Sequence, residues 1–338
     1  MALSPDGSAL AIATSRPAST RVWRPASDEI SELPVSLAIA PGPSADRFYC
    51  LKWTSDGGYG LHEYSAASKS WRLIRKGIES RTQLDRLEMS PSHRRFLSYP
   101  LGPPTLHPFA VAQAVHGASH QVLEPLPDFD FLAAMRWVDE DHFLVLGSPA
   151  QCGNRPVDFD QDASIHLVAS NGESLRRISN RQFDPLLDEE QRKLVSNHLL
   201  VAFPQRLSVA PDGKSLVYSS MLKNTGRLGR LSIPTLEHTH GRNGIDVADM
   251  LHLSSELLLV SPTGPGAQLE LWDATTLKRI RVLAIPAGEA IAISDDQSTL
   301  AVAGSELIRV YKVLKSKSIR VTHEYAPGKL PILAATRL

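Results

Sequence analysis

The chain has 338 residues, of which 42% are hydrophobic and 21% are charged. This composition is typical of a folded protein with a large core, and it excludes a disordered or fibrous one. Lysine plus arginine equals aspartate plus glutamate at 36 each, so no overall charge favours nucleic acid or an anionic membrane. We therefore expect neither as a partner.

The cysteines and the start of the chain predict an intracellular location. Cys50 and Cys152 are the only cysteines and are far apart, so neither a disulfide framework nor a zinc site is expected. Residues 1–7 lack the basic and apolar regions of a signal peptide. No apolar run approaches the roughly 20 residues of a membrane helix. These features favour a cytoplasmic or nuclear protein.

A short unit, which starts with a tight turn, recurs along the chain. Ser4–Gly7 and Ala210–Gly213 each contain Pro-Asp-Gly and precede an alternating apolar strand. Ser90–Ser92 and Ser294–Asp296 begin looser versions of the same unit. Proline presets φ at the first corner of such a turn, and glycine accepts a positive φ at its exit. The pattern predicts repeated β-hairpins.

A third strand follows each turn at a shared distance and ends in an aromatic residue. Trp23 lies 19 residues after Ser4, Trp272 lies 18 after Ser254, and Tyr311 lies 17 after Ser294. The units therefore share one register.

Seven such units account for the chain. Their turns are anchored at Ser4, Ala40, Ser90, Val138, Ala210, Ser254 and Ser294. The mean spacing of about 48 residues is that of a four-stranded propeller blade. We predict an all-β fold: one β-propeller domain of seven four-stranded blades over residues 1–338. The expected blades are 1–35, 36–80, 81–128, 129–180, 205–240, 246–286 and 287–325. Ala40 and Val138 have the fewest turn residues, so six or eight blades stay open as alternatives.

The long interval between the fourth and fifth units contains a predicted insertion. Asp184-Pro185 is a helix start, and acidic residues precede basic ones along the segment. We expect one short helix near 184–200. It is either a strap on its own blade or a docking element for a partner. The candidate docking residues are Leu187, Leu194, Leu199, Arg192 and Lys193.

One unit carries a family resemblance. Leu269–Thr276 reads Leu-Glu-Leu-Trp-Asp-Ala-Thr-Thr, and Trp23-Arg24 and Tyr311-Lys312 stand at equivalent places. The units resemble WD40 repeats, although the Gly-His pair of that family is not visible. The resemblance implies a ring that binds peptides or proteins on its top face and channel, usually as a scaffold. Residues 330–338 are a spare apolar segment, and we expect them to form a closing strand beside the first blade.

Metal and cofactor signatures are sparse. The best metal candidate is Asp158, Asp160 and Asp162, which have the alternating spacing of a calcium loop. Ala163 and Ala169 replace the glycine and glutamate of such loops, so a solvated loop is favoured. His238 with His240, and His116 with His120, lack companion ligands. No cofactor site or catalytic residue is predicted.

The basic clusters and the tryptophans both have structural interpretations. Basic clusters occur at 72–76, 278–281 and 312–320, and we interpret them as solvated outer strands. The five tryptophans are expected to pack between adjacent blades. They are Trp23, Trp53, Trp71, Trp137 and Trp272.

Two functions remain. The first is a non-enzymatic scaffold or adaptor that binds protein or peptide partners on a propeller face. The alternative is a propeller hydrolase or lactonase with its site at the central channel, because propeller active sites are assembled from loops distant in sequence.

Overall fold

The computed structural model describes most of the chain. The described residues are 1–15, 18–33, 38–44, 46–55, 58–78, 86–92, 95–99, 113–116, 120–122, 131–148, 164–179, 203–222, 225–304, 307–313 and 319–325. Within these ranges the secondary structure consists of strands and turns, and no helix there is long and apolar enough to cross a membrane. The predicted helix near 184–200 and the predicted closing strand at 330–338 lie outside them.

The described strands number 28. The first fourteen are β1 (Ala2–Leu3), β2 (Leu10–Ser15), β3 (Ala18–Arg24), β4 (Glu29–Leu33), β5 (Ile39–Pro41), β6 (Arg47–Trp53), β7 (Tyr59–Ser65), β8 (Ser70–Ile78), β9 (Arg86–Met89), β10 (Arg95–Tyr99), β11 (Gln113–His116), β12 (His120–Val122), β13 (Phe131–Trp137) and β14 (His142–Ser148). The others are β15 (Ser164–Ala169), β16 (Ser174–Ser179), β17 (Phe203–Val209), β18 (Ser215–Leu222), β19 (Thr225–Ser232), β20 (His238–Asn243), β21 (Val247–His252), β22 (Leu257–Pro262), β23 (Gln268–Asp273), β24 (Lys278–Pro286), β25 (Ala290–Ile293), β26 (Thr299–Ala303), β27 (Ile308–Val313) and β28 (Ile319–Tyr325).

These strands form seven sheets in the described part of the chain, each of four strands in sequence order, from β1–β4 to β25–β28. We number them blades 1 to 7. Neighbouring strands pair antiparallel, as in Leu10 with Trp23 and Leu300 with Tyr311. The architecture is an all-β propeller, which confirms the predicted fold class.

Contacts divide the chain into two compact units. Unit 1 contains Met1–Ser98 and Ala287–Leu338, and therefore blades 1, 2 and 7 with the start of blade 3. Unit 2 contains Tyr99–Pro286, and therefore the rest of blade 3 with blades 4, 5 and 6.

Where burial is described, it falls from inner strands to outermost strands. All five residues of β26 are buried, whereas Lys278–Val282 of β24 are all exposed. An inner strand has a neighbouring blade against each face, so both its faces must be apolar. Clusters of buried residues join blades 1 and 2, blades 7 and 1, blades 4 and 5, and blades 5 and 6.

The recurring turn has one hydrogen-bond scheme. Ser4 Oγ donates to Asp6 Oδ1 at 2.9 Å and accepts the Ala9 N–H at 2.9 Å. Ser294 and Asp296 form the same bond, at 2.6 Å, in blade 7. The short polar side chains satisfy backbone groups that the hairpin leaves unpaired, which explains why these residue types recur.

The turn exit requires a positive φ. Gly7 and Gly213 adopt φ of 69° and 67°, as predicted. Blade 7 lacks the glycine, and Gln297 takes φ of 55° at the equivalent place.

Blades 1 and 7 contact each other directly within unit 1. The N–H of Asp295 donates to the carbonyl of Pro5 at 3.0 Å, which joins the two turns. Leu3, Leu10 and Ile308 are buried in the cluster beneath them. The first and last blades are therefore held by their own strands and turns.

Candidate interaction site on blade 2

Large apolar side chains are exposed mainly on outermost strands. Among the described residues they are Ile30, Trp53, Leu73, Ile74, Leu175, Ile280 and Val282. All except Trp53 lie on β4, β8, β16 or β24, the fourth strands of their blades. Blade 2 contributes three of them, more than any other blade in the part of the chain that the structure describes.

Trp53 is the most exposed of these side chains, at 54%. It ends β6 and lies opposite Tyr59 at the start of β7, and the two rings meet edge to face with centroids 5.0 Å apart. The hairpin between them is closed by Thr54, whose N–H and Oγ1 each donate to the Gly58 carbonyl at 2.8 Å. The prediction that every tryptophan packs between blades is wrong for Trp53, because more than half of its surface is exposed at the end of β6.

Leu73 lies over a glycine on the adjacent strand. A side-chain Cβ at Gly60 would stand 3.2 Å from Leu73 Cδ1 and 2.9 Å from His62 Nε2. Gly60 therefore makes room for Leu73 at the blade surface. Leu73 and its neighbour Ile74 are about two-fifths exposed. Leu73 pairs with His62, so it lies on the face of the sheet opposite to Trp53 and Tyr59, which pair with each other. We call the rings of Trp53 and Tyr59 the blade 2 patch.

Positively charged residues lie on β6 and β8 of blade 2. Burial and the charge of Lys52 lower the pKa of His62, so Lys52 lies near His62, on the face of Leu73. Lys76 is exposed on β8, and burial lowers the pKa of the half-buried Arg75.

The two carboxylates in the described part of blade 2 are bonded within it. Glu63 is 3% exposed and bonds Arg47 at 2.7 Å and Arg72 at 3.1 Å. Asp46 accepts from Ser65 Oγ at 2.6 Å. The described part of the blade therefore presents apolar and positively charged groups at its surface, with its negative charge held within.

Most of the predicted site residues lie outside the described ranges. These are Asp158, Asp160, Asp162, Leu187, Arg192, Lys193, Leu194 and Leu199. The side chains of His116 and His120 are likewise outside the description.

The other histidine pair does not form a metal site. His238 Nε2 lies 2.6 Å from the hydroxyl of Tyr218, and His240 pairs in register with Arg230. Across the described residues, no three histidine, cysteine, aspartate or glutamate side chains come close enough to hold a metal ion.

One serine–histidine pair was not predicted from the sequence. Ser208 Oγ lies 2.9 Å from His252 Nδ1, yet the two residues are only 7% and 8% exposed. Burial is the largest cause that lowers the pKa of His252 to about 4, followed by the charge of Arg230. A buried serine beside so weak a base cannot meet a substrate, so we assign the pair to structure. Their separation of 44 residues hid the pair from sequence patterns.

The chain matches no protein-family model and no curated protein sequence. Solved structures share its fold. A chain of the mitotic checkpoint complex superposes with a TM-score of 0.58 at 13% identity, covering 95% of this chain and 85% of that chain. A putative 6-phosphogluconolactonase from Bacteroides fragilis has a TM-score of 0.51 at 12% identity, covering 97% and 98%. Both likenesses establish the β-propeller fold. The finer WD40 assignment stays a prediction.

Proposed function

We propose that this protein is a non-enzymatic scaffold of the WD40-like propeller class, and that its blade 2 patch binds an acidic and apolar segment of a partner protein. The observation that carries the proposal is the exposed indole of Trp53. The cytoplasmic or nuclear location expected from the sequence is part of the proposal.

A tryptophan that is half exposed and held in place suits a binding surface. Tryptophan is among the residues that most often dominate binding energy, because a partner removes its large apolar surface from water. Contact with Tyr59 limits the indole's motion, so binding loses less side-chain entropy.

The surrounding charge defines the partner. Lys52 precedes Trp53 on β6 and Lys76 is exposed on β8, while Glu63 and Asp46 are bonded within the blade. An acidic segment is attracted by these lysines, and a basic segment is repelled. Apolar residues in the same segment would cover Trp53.

The hydrolase or lactonase alternative finds less support in the described carboxylates. The pKa of Asp273 is lowered chiefly by the Thr275 hydroxyl, and that of Asp296 by the Ser294 hydroxyl. The pKa of Asp212 is lowered chiefly by the Lys214 N–H. Each carboxylate caps a turn in its ionised form, which is a structural role.

The test compares partners captured by matched variants. Tagged wild type, Trp53→Ala and Leu175→Ala are purified from native cells, and co-purifying proteins are quantified by mass spectrometry. Leu175 is the control because it is 40% exposed on the outermost strand of another blade. Equal melting temperatures show that all three proteins are folded.

We expect Trp53→Ala to lose the principal partner by tenfold or more, which corresponds to about 1.4 kcal/mol or more, and Leu175→Ala to retain it. Cross-linking should place an acidic segment of that partner at blade 2. Retention of the partner by Trp53→Ala, or a basic cross-linked segment, contradicts the proposal. Lactone hydrolysis by the purified chain that persists in Trp53→Ala would favour the enzyme instead.

A further inference from the structure

One face of blade 5 packs against blade 6. Val217 and Leu228, on the two middle strands of blade 5, are buried in one cluster with Trp272 of blade 6. Arg230 follows Leu228 by two residues on β19, so its side chain lies on the same face. Arg230 pairs directly with His240 on β20. The seam between blades 5 and 6 therefore has basic side chains beside its apolar core.

A β-bulge holds Arg230 in place. Arg230 pairs with His240, whereas the next residue, Leu231, pairs with His238, so Thr239 is an extra residue on β20. A bulge of this kind re-aims a side chain that regular alternation would send to the opposite face. Thr239 Oγ1 accepts from Arg230 Nη1 at 3.1 Å and donates to the Arg230 carbonyl at 3.3 Å. The threonine therefore fixes the guanidinium on the face that blade 6 covers.

A second guanidinium is fixed on the same face by an aromatic ring. Arg242 pairs with Leu228 and shares its face, and its guanidinium lies over the Trp272 ring, 5.3 Å from the centre. Trp272 Nε1 donates to one oxygen of Glu270 at 2.9 Å, and Arg279 bonds the other oxygen at 2.7 Å. Arg242 is exposed, so the N–H groups at the edge of its guanidinium can meet a ligand.

The two guanidinium groups have no counter-ion in the part of the chain that the structure describes. Neither Arg230 nor Arg242 forms an ion pair there, and the Nε of Arg230 is buried without a hydrogen-bond partner. The two arginines are diagonal neighbours on paired strands, about 7–8 Å apart, so their charges repel each other. A buried N–H without a partner also costs free energy. An anion between the two groups would relieve both effects.

We infer that Arg230, His240 and Arg242, which we call the blade 5 cluster, bind a phosphate monoester at the outer part of the seam between blades 5 and 6. A phosphate monoester carries nearly two negative charges at neutral pH and three strong acceptor oxygens. Two guanidinium groups match that charge, and the imidazole between them adds a further polar contact. A carboxylate has half the charge and one oxygen fewer, so it would leave part of the cluster unpaired.

The blade 5 cluster shares no residue with the blade 2 patch. The inference therefore adds a second ligand to the proposed scaffold and does not depend on the first. Loss of phosphate binding would leave the proposed partner of Trp53 unaffected, and the reverse also holds.

The first probe is inorganic phosphate at pH 7.5, and its binding is measured by thermal unfolding of the full chain. Sodium acetate at equal ionic strength is the control for a singly charged carboxylate. Arg242→Gln and His240→Ala change exposed members of the cluster. Arg176→Gln is the matched control, because Arg176 is exposed on β16 of blade 4. Melting temperatures without phosphate show that each variant is folded.

A ligand that binds only the folded protein raises its melting temperature. We expect phosphate to raise it by about 2 °C more than acetate in the wild type and in Arg176→Gln. Arg242→Gln and His240→Ala should lose most of this difference. Phosphate also stabilises folded proteins in general, but that effect is common to all variants and cancels in the comparison. Equal rises in the wild type and Arg242→Gln, or equal rises with phosphate and acetate, would overturn the inference.

A second probe identifies the source of the phosphate. It is a fluorescein-labelled peptide of one phosphoserine between two glycines on each side, compared by anisotropy with the same peptide without phosphate. Binding of the phosphopeptide that inorganic phosphate displaces, and that Arg242→Gln weakens by about tenfold, indicates a phosphorylated protein as the ligand. A phosphate effect without phosphopeptide binding supports a small phosphorylated molecule instead. Equal binding of the two peptides would contradict recognition of phosphate.

Discussion

Ser208 and His252 lie on the innermost strands of blades 5 and 6 and are joined by two hydrogen bonds. Ser208 Oγ accepts the backbone N–H of His252 at 2.9 Å and lies 2.9 Å from its Nδ1. A single hydroxyl therefore satisfies two groups of the neighbouring blade, in a place from which water is almost excluded.

Ser208→Ala should destabilise the protein by about 1–3 kcal/mol, because it leaves buried polar groups of His252 without their partner. Urea unfolding followed by tryptophan fluorescence measures the loss. Ser27→Ala is the control, since Ser27 is exposed on a turn and should change stability by less than about 0.5 kcal/mol. Equal effects of the two substitutions would show that the bridge contributes nothing.

Protonation of His252 should weaken the fold at acid pH. Its pKa is about 4 in the folded protein and 6.5 ordinarily, so between these values the unfolded chain binds a proton that the folded chain does not. The contribution of neutral His252 to the free energy of unfolding is therefore fully present above pH 6.5. That free energy falls by about 3 kcal/mol as the pH drops to about 4.

His252→Asn isolates this contribution, because asparagine keeps a polar group near Ser208 and does not titrate. Unfolding measured from pH 7 to pH 4 should show a shallower loss in the variant than in the wild type. The difference removes the effect of other histidines such as His62, whose pKa is also lowered. If the free energy of unfolding fell equally with pH in the variant and the wild type, His252 would not be the source of the acid sensitivity.

The recurring turn can be tested at two adjacent aspartates. Asp296 Oδ1 accepts from Ser294 Oγ at 2.6 Å and from the Ser298 N–H at 2.9 Å, whereas only the backbone N–H of Asp295 bonds, to the Pro5 carbonyl. Asp296→Ala should cost about 1 kcal/mol, as the loss of a cap does. Asp295→Ala should be close to neutral. Thermal unfolding of both variants measures the two losses. A larger loss for Asp295→Ala than for Asp296→Ala would reject the proposed hydrogen bonds of the turn.

The contact between the first and last blades can be tested at Gly7. An added Cβ would strike the side chain of Thr299 and would also occupy a positive φ of 69°. Gly244 has φ of 82° but nothing within 4 Å, so Gly244→Ala reports backbone strain alone, about 1 kcal/mol. Gly7→Ala should cost clearly more in chemical unfolding. A smaller cost at Gly7 than at Gly244 would mean that the two blades separate easily.

Glu63 should stabilise blade 2 through its two arginines. Glu63→Gln removes the charge that binds Arg47 and Arg72, and we expect a loss of about 2 kcal/mol in urea unfolding. Glu32→Gln is the matched control, because Glu32 is 75% exposed and bonds Arg21 at 3.2 Å. Its loss should stay below about 0.5 kcal/mol. Comparable losses would show that the buried position adds nothing.

Local patterns in the sequence were sufficient to predict the all-β fold class and its recurring turns. The turns at Ser4, Ala210 and Ser294 lie where the repeats placed them, because their hydrogen bonds join residues two to five positions apart. The similar spacing in sequence between each turn serine and the aromatic residue of the third strand also predicted the pairing of strands. Trp23 and Tyr311 pair with Leu10 and Leu300, which each follow their turn serine by six residues.

Only the tertiary structure decided which groups meet between blades and which face water. Ser208 and His252 are 44 residues apart in sequence and meet because their blades stack. Trp53, at the end of the second strand of blade 2, is 54% exposed, whereas Trp23, near the end of the third strand of blade 1, is buried. Alternation along a strand is local and can be read from sequence, whereas the side chains that cover its two faces come from other blades.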